Sequence, residues 1–447
     1  MPSVRSPLTS PRLRRILAAY TVNRLGTWVG IIALSVAVFD DTHSALAVAA
    51  VLVAAQVVPA IAVPAVVARV EASSGRHELS GLYFFEAVAT AALAVLLWHF
   101  WLPAVLLLAA LDGTAALAAS ALLRAATARA AREELVVGAE ASTRKPAQEH
   151  DDAHAAERQA NAALNVAFSG TFVLGPVLGG AIVAGASAST ALFLDAATFL
   201  TCGALLLDLH PHVEEAGGES VRLRLRAAWR HINGVPALRS LLLAQAVALV
   251  FFESAAPIQV AFAKATLRAG DRGFGLLVTS WGVGVVIGSI VFARSPRRPL
   301  GTMISAGTLA VGLAYLGFAA APSLALACFA AVFGGIGNGV QWAPLVSAVQ
   351  QLTPRPLQGR VMGALEAIGA LSPALGLSLG GALVALSSPR TAFMVVGLGA
   401  ALTTIAFVRV DLDAVAEPTD ASGRTEAADA PQEVDPARTA NVPMGES

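Results

Sequence analysis

The sequence predicts an all-α membrane protein in which twelve transmembrane helices form two six-helix halves. Of its 447 residues, 56% are hydrophobic and only 13% are charged, whereas soluble domains carry about 25% charged residues. The apolar residues form runs near or above 20 residues, which is the length that crosses the hydrocarbon core of a bilayer. In addition, one glycine-rich segment occurs twice, which indicates two related halves.

The repeated segment reads LGPVLGGAIVA at residues 174–184 and LGLSLGGALVA at residues 375–385, with eight of eleven positions identical. Each copy places two glycines four residues apart, a spacing that lets membrane helices approach at backbone distance. The proline of the first copy removes a backbone donor and should bend that helix. We therefore predict packing or conformational roles for these residues: Gly175, Pro176, Gly179, Gly180, Gly376 and Gly380.

Twelve apolar runs follow one another along the chain. Asn23 and Arg24 interrupt the first run, so we interpret it as a retained helix and not as a cleaved signal peptide. The predicted spans are 15–39, 45–68, 79–98, 102–124, 161–185, 189–207, 238–262, 273–293, 300–320, 322–348, 360–386 and 390–408. The predicted division is an N-terminal half (1–208), a cytoplasmic linker (209–236), a C-terminal half (237–410) and a disordered tail (411–447).

The basic residues predict the orientation. With these spans, 25 of the 30 Lys and Arg lie at the two termini and in the loops on the same side of the membrane, and only four lie on the opposite side. By the positive-inside rule, both termini are expected in the cytoplasm of a cell with this protein in its inner, or plasma, membrane. The two cysteines, Cys202 and Cys328, exclude a disulfide scaffold and a thiolate metal site.

Ionisable residues inside membrane spans are costly and are functional candidates by default. They are Arg24, Glu86, Asp112, Asp195, Glu253 and Glu366. From the helical rise, Arg24 and Asp112 each lie about 15 Å from the ends of their spans, so they can meet at the midplane. They either serve transport or form a buried ion pair that only fixes helix register. We expect Glu86 and Glu366 to pair with loop arginines, and Asp195 to be shallow on the outer side.

Two polar segments outside the spans admit more than one interpretation. His150 and His154 could hold a metal if their loop were helical, although a polar loop of mixed charge is more often simply solvated. The linker segment 222–230 alternates arginines with apolar residues, including Trp229. It suits either anionic headgroups or the role of an ordinary basic linker.

Local motifs extend this interpretation. The run Gly175-Pro176-x-x-Gly179-Gly180 is similar to the antiporter motif of the major facilitator superfamily. The segments 359–363 (GRVMG) and 160–162 (ANA) resemble its branch of bacterial drug and siderophore exporters, which includes the enterobactin exporter. The resemblance covers roughly residues 12–410 and implies a fold of two parallel six-helix halves that work by alternating access.

The resemblance also implies where the site lies, because spans 1, 4, 7 and 10 of that superfamily line a central cavity. In this chain the candidate substrate and coupling residues on those spans are Arg24, Asp112, Glu253, Asn338, Gln341 and Trp342. Trp28, Phe251 and Phe252 are candidates for aromatic walls beside them.

The cytoplasmic loop motif of the superfamily departs from its pattern here. Pro64 and Ala68 stand at its Gly and Asp places, so the acidic member is missing and basic residues remain. The candidate gate residues are Arg69, Arg76, Arg294 and Arg360. Span four has Asp112 before Gly113 where proton-coupled drug exporters carry an Arg beside a Gly. The coupling ion is therefore left open, with Glu253 the better candidate to carry a proton.

The expected function is secondary active transport, namely export of a small amphipathic molecule such as a drug, siderophore or secondary metabolite. No Walker-type phosphate-binding motif is present, so ATP hydrolysis by this chain is not expected to drive transport. Metabolite uptake or facilitated passage is the alternative. A membrane-embedded enzyme acting on lipid is disfavoured, because no nucleophile, base and metal-ligand set occurs within the spans. We expect no cofactor, no metal and no nucleic acid, and a monomer whose partners are its substrate and the bilayer.

Overall fold

The computed structural model describes residues 10–408, except for 73–76, 140–162, 165–166, 168–169, 172–173, 176, 208–220, 296–297 and 355–356. Its helices are α1 (Pro11–Thr42), α2 (Ala45–Ala72), α3 (Glu78–Leu96), α4 (Leu102–Ala139), α5 (described in full over 177–185), α6 (Ala188–Leu205), α7 (Val221–Gly234), α8 (Pro236–Ala261), α9 (Gly270–Ala293), α10 (Leu300–Ala320), α11 (Leu324–Gln351), α12 (Gln358–Leu386) and α13 (Pro389–Val408). A short 3₁₀ turn follows α3, and a π-helical turn, Phe262–Thr266, extends α8.

The prediction of an all-α membrane fold is confirmed. Within the part of the chain that the structure describes, eleven helices are long and apolar enough to cross a membrane. The twelfth predicted span, 161–185, lies partly outside the described residues. The largest difference from the predicted bounds is α4, which continues to Ala139, because the Ala, Arg, Glu and Leu residues beyond position 124 favour a helix.

Each half packs its own helices. In the N-terminal half α1 contacts α6, α2 contacts α4, and α3 contacts both α4 and α6. In the C-terminal half α11 packs between α9 and α10, while α8 contacts α12 and α13. The α9–α11 seam is made of glycines: a Cβ on Gly335 would lie 2.9 Å from the Cα of Gly284. Helices packed at this distance gain close van der Waals contact along their whole length.

The bundle has two faces, which we name by α1. The amino face is where α1 begins, and there the Arg15 side chain donates a hydrogen bond of 2.8 Å to the carbonyl of Leu205 at the end of α6. The far face is where α1 ends, beside the end of α8 and its π-helical turn. There Lys264 forms ion pairs with Asp40 of α1, at 2.6 Å, and with Asp271 of α9, at 2.5 Å.

Glycines complete the contact between the halves toward the far face. A Cβ on Gly180 of α5 would lie 2.7 Å from the Cα of Gly275 in α9. Likewise, a Cβ on Gly381 of α12 would lie 2.8 Å from the Cβ of Ala49 in α2. The two halves therefore touch backbone to backbone at these points, and the Lys264–Asp40 ion pair joins them at the surface.

Candidate substrate and coupling site

Asp112 takes its hydrogen bond from α3 and not from α1. The hydroxyl of Thr90 donates to a carboxyl oxygen of Asp112 at 2.9 Å. Among the described residues Asp112 forms no ion pair with Arg24, which has other interactions. The direct Arg24–Asp112 pair is therefore replaced by a Thr90–Asp112 hydrogen bond between neighbouring helices. Asp112 remains only half-buried.

Asp195 lies inside the N-terminal half, on the face of α6 that packs against α1, and its expected shallow position along the membrane normal stays a prediction. Its side chain is 4% exposed and rests on the α1 backbone at Gly26 and Gly30. A Cβ on Gly30 would lie 3.3 Å from the carboxyl carbon of Asp195 and in contact with one of its oxygens. The hydroxyl of Thr198 lies 3.3 Å from the other oxygen. The two glycines thus make room on α1 for a carboxyl group from α6.

Glu86 is also placed differently from the expectation that it pairs with a loop arginine. Its side chain is 0% exposed, and neither carboxyl oxygen has a hydrogen-bond partner among the residues that the structure describes. Thr90, one turn further along α3, donates a hydrogen bond to Asp112, and Asp112 and Asp195 are the acidic groups whose charges act on Glu86. Glu86, Asp112 and Asp195 therefore form one buried acidic cluster. The side chain of Glu366, the other member of that expectation, lies outside the described residues.

The sequence holds a periodic signal for this cluster that inspection of single charges missed. Tyr83, Glu86 and Thr90 are spaced at i, i+3 and i+7 on α3, so they share one helix face. On α6, Asp195, Thr198 and Cys202 repeat the same spacing. Cys202 faces α1, where its thiol donates to the carbonyl of Ala19 at 3.2 Å. Polar faces on two apolar helices indicate that both faces point into the interior of this half, where the α6 face meets α1.

Glu253 lies in the C-terminal half, where α8 meets α12. A Cβ on Gly376 would lie 2.6 Å from the Cβ of Glu253 and 2.6 Å from the carbonyl oxygen of Val250. Gly380, one turn further, rests on the backbone of Ser254. Glu253 is half-buried. The described residues of the C-terminal half place no second carboxylate beside it.

The polar residues of α11 are divided between the interior and the surface. Gln341 is 7% exposed, and its amide donates to the side-chain oxygen of Gln245 on α8 at 3.2 Å. Asn338 is half-buried, and Trp342 is 45% exposed. Gln245 was missed by the sequence analysis because single amides within apolar runs carry little signal. The Gln245–Gln341 pair links two of the helices expected to line a cavity.

Aromatic side chains fill the C-terminal half beside Glu253. Trp281 stacks on Tyr315 with ring centroids 5.6 Å apart, and Phe252 lies 5.9 Å from Trp281. The Tyr315 hydroxyl donates to the carbonyl of Phe252 at 3.4 Å. The other predicted aromatics pack against glycines: Phe251 against Gly399, and Trp28 against Gly175.

The remaining predicted glycines lie at close helix contacts. A Cβ on Gly179 would lie 3.1 Å from the Cα of Val29 in α1, so α5 packs on α1 as well as on α9. Pro176 lies outside the described residues, so the predicted bend is a matter for experiment.

The gate arginines are only partly described. Arg294 is exposed at the end of α9, and Arg360 is half-buried in the first turn of α12. The Arg69 side chain and Arg76 lie outside the described residues, as do His150 and His154. No group of three or more His, Cys, Asp or Glu within the described ranges could hold a metal ion. The absence of such a group applies equally to Glu86, Asp112 and Asp195.

Comparison with known proteins connects this geometry to a transporter fold. A family model described as the Major Facilitator Superfamily matches residues 241–442. An uncharacterised MFS-type transporter, YfiS of Bacillus subtilis (strain 168), is 25% identical over 240 residues, which make up 50% of this chain and 57% of that protein. The aligned region therefore spans little more than half of the relative's length.

Solved structures share the fold over nearly the whole chain. The nucleoside transporter NupG is 11% identical, with a TM-score of 0.67, covering 90% of this chain and 99% of its own. A bacterial homologue of the iron transporter ferroportin, in an inward-facing state, is 16% identical with a TM-score of 0.65, covering 89% and 98%. The chain thus shares the fold of these transporter structures.

Proposed function

We propose that the protein is a secondary active transporter that exports a small amphipathic molecule by rocking one half against the other. The observation that carries this proposal is the asymmetry of the interior: charged groups collect in one half and aromatic groups in the other. Arg24 and the acidic cluster can attract a polar or charged part of a ligand, while Trp281, Tyr315 and Phe252 belong to an apolar half that suits its remainder.

The ion pairs at the far face support an alternating-access cycle. Lys264 joins α1 of one half to the π-helical turn of the other, and the glycine contacts bring the backbones together beneath it. By the positive-inside rule the amino face is cytoplasmic, so the far face is external. On this assignment the structure is closed toward the outside, a state that belongs to a cycle in which the other side opens.

The orientation has its own test. Ala186 and Ser323 are exposed in connections on the far face, and Gly234 is exposed on the amino face. In a background with Cys202 and Cys328 replaced by Ala, a membrane-impermeant thiol reagent added to intact cells should modify Ala186→Cys and Ser323→Cys only. Labelling of Gly234→Cys in intact cells would overturn the assignment of the faces.

Export is tested with the purified full chain in lipid vesicles. A panel of amphipathic compounds is screened for a rise in melting temperature, since a ligand that binds only the folded state stabilises it. Each hit is then followed in vesicles carrying a pH gradient of either sign. Export predicts accumulation in vesicles whose exposed surface is the amino face, and Arg24→Gln should abolish it. Accumulation only in the opposite orientation would favour uptake, and flux that equilibrates without a gradient would favour facilitated passage.

A further inference from the structure

Among the described residues, the interior of the N-terminal half holds more acidic than basic side chains. Glu86, Asp112 and Asp195 come from three different helices, α3, α4 and α6, and interact electrostatically with one another. On α1, which packs against α6, the basic group is Arg24, accompanied by Tyr20. Low dielectric disfavours uncompensated charge, so three ionised carboxylates beside one guanidinium would be a costly arrangement.

Hydrogen bonding distinguishes the three acids. Asp112 accepts from Thr90, and Asp195 lies within hydrogen-bond distance of Thr198. Glu86 is fully buried, and neither of its carboxyl oxygens has a hydrogen-bond partner within the described part of the chain. An ion in such a position gains nothing in return for its lost hydration, whereas a protonated carboxyl is neutral and can itself donate a hydrogen bond. The other titratable groups around Glu86 are Tyr83 on its own helix and Cys202 on α6.

Asp112 is the most accessible member of the acidic cluster. Asp112 is the half-buried member of the cluster, whereas Glu86 and Asp195 are almost inaccessible. It lies on α4, which contacts both α3 and α2. No group of three or more His, Cys, Asp or Glu among the described residues is arranged to hold a metal ion, and the cluster is no exception. A proton needs no set of coordinating ligands, so a single buried carboxyl group such as Glu86 is enough to bind it.

We propose that Glu86 is a proton-binding residue of the transport cycle and that Asp112 connects it to water. The two carboxyl groups are not hydrogen-bonded to each other in this structure, so the release step follows a movement that brings them together. The O–H bond of Glu86 then breaks, the proton forms an O–H bond on the Asp112 carboxylate, and Glu86 becomes negative. Asp112 then gives the proton to water as hydronium. Uptake follows the reverse order. The inference rests on the proposed transport function for its role in coupling, but the binding of the proton does not depend on it.

The first test counts protons and needs no substrate. The purified full chain in detergent is titrated between about pH 5 and pH 9, a window that spans ordinary and strongly perturbed carboxyl groups, with a pH-indicator dye as the probe. The expected result is that Glu86→Gln takes up one proton fewer per molecule than the wild type. Glu86→Asp keeps the carboxyl and should keep that proton, and Glu253→Gln should leave the difference due to Glu86 unchanged.

Equal proton counts in the wild type and in folded Glu86→Gln would overturn the proposal. Folding is checked by melting temperature and gel filtration. If Glu86→Gln does not fold, Glu86→Asp serves as the second variant, and its titration curve should shift from that of the wild type. An unshifted curve for Glu86→Asp would also overturn the proposal.

The second test separates this inference from the proposed function. In vesicles, Glu86→Gln should lose accumulation against a gradient while keeping substrate exchange at wild-type rate. If Glu86→Gln still accumulates substrate, the proton site is wrong but the transporter stands. If the wild type transports nothing in either assay while the proton count holds, the proposed function fails and the proton site stands.

Discussion

The two halves share one helical plan but differ in what they bury. The N-terminal half encloses a guanidinium and three carboxyl groups in the space around α1, α3, α4 and α6. The C-terminal half encloses stacked rings, one amide pair and a seam of glycines between α9 and α11. The difference shows that a repeated backbone does not require a repeated interior. The N-terminal half collects several groups that can change charge, whereas in the C-terminal half Glu253 stands beside packing that holds the helices in fixed contact.

The comparison is tested most strongly at the glycine seam. A Cβ on Gly335 would meet the carbonyl of Trp281 and the Cα of Gly284, which are backbone atoms that cannot rotate away. We expect Gly335→Ala to lower the free energy of unfolding by about 3 kcal/mol, as overpacked sites do. The matched control is Gly369→Ala on α12, where a Cβ meets open space. It should be neutral or stabilising by up to about 1 kcal/mol. Equal effects in denaturation curves would disprove the rigid seam.

The second prediction concerns the hydrogen bond between α3 and α4. Thr90→Val removes the donor to Asp112 and should cost about 2 kcal/mol, because the acceptor is a half-buried carboxyl group that can carry a charge. In an Asp112→Asn background the same change should cost clearly less, and the difference is the coupling between the two residues. Additive effects in thermal unfolding of the four proteins would mean that the hydrogen bond contributes nothing.

Much of the fold could be predicted from the sequence, because spans of about 20 apolar residues and their basic flanks are local signals. The extension of α4 was not predicted, since the membrane does not limit a helix whose residues favour helical structure. The site was harder to predict. Arg24, Asp112 and Glu253 could be named as charges inside spans. For Glu86 and Asp195, however, the position of each residue along its own helix did not reveal which neighbouring helix it faces. The Thr90 and Gln245 contacts depend on packing between helices distant in sequence.

The third prediction addresses the amide pair of the C-terminal half. Gln341→Leu leaves the buried Gln245 without its partner and should cost about 1 to 2 kcal/mol of unfolding free energy. The double variant Gln245→Leu with Gln341→Leu removes both polar groups and should recover most of that loss. If the double variant is as unstable as the sum of the two single variants, the pair is not an isolated structural contact. Transport by the double variant then shows whether the amides also contact substrate.

The smallest expected effect is a change in the balance between states. Lys264→Met keeps most of the side-chain length but removes the ion pairs with Asp40 and Asp271. We expect about a fivefold shift toward opening of the far face, equivalent to about 1 kcal/mol for a partly buried ion pair. The readout is the labelling rate of Ala49→Cys, which lies 1% exposed in the α2–α12 contact. Arg268→Met removes a charge from the same connection and is the control. An unchanged labelling ratio would show that Lys264 does not hold the face closed.

The most direct test of the account is whether the two halves move reciprocally. Spin labels are placed at Asp41 and Ala265 on the far face, and in a second protein at Arg14 and Ser240 on the amino face, in each case one per half. Distances are measured by pulsed electron spin resonance in lipid vesicles at low and high pH. The account predicts that conditions which lengthen the far-face distance shorten the amino-face distance. Distances that stay constant, or that lengthen together on both faces, would contradict it.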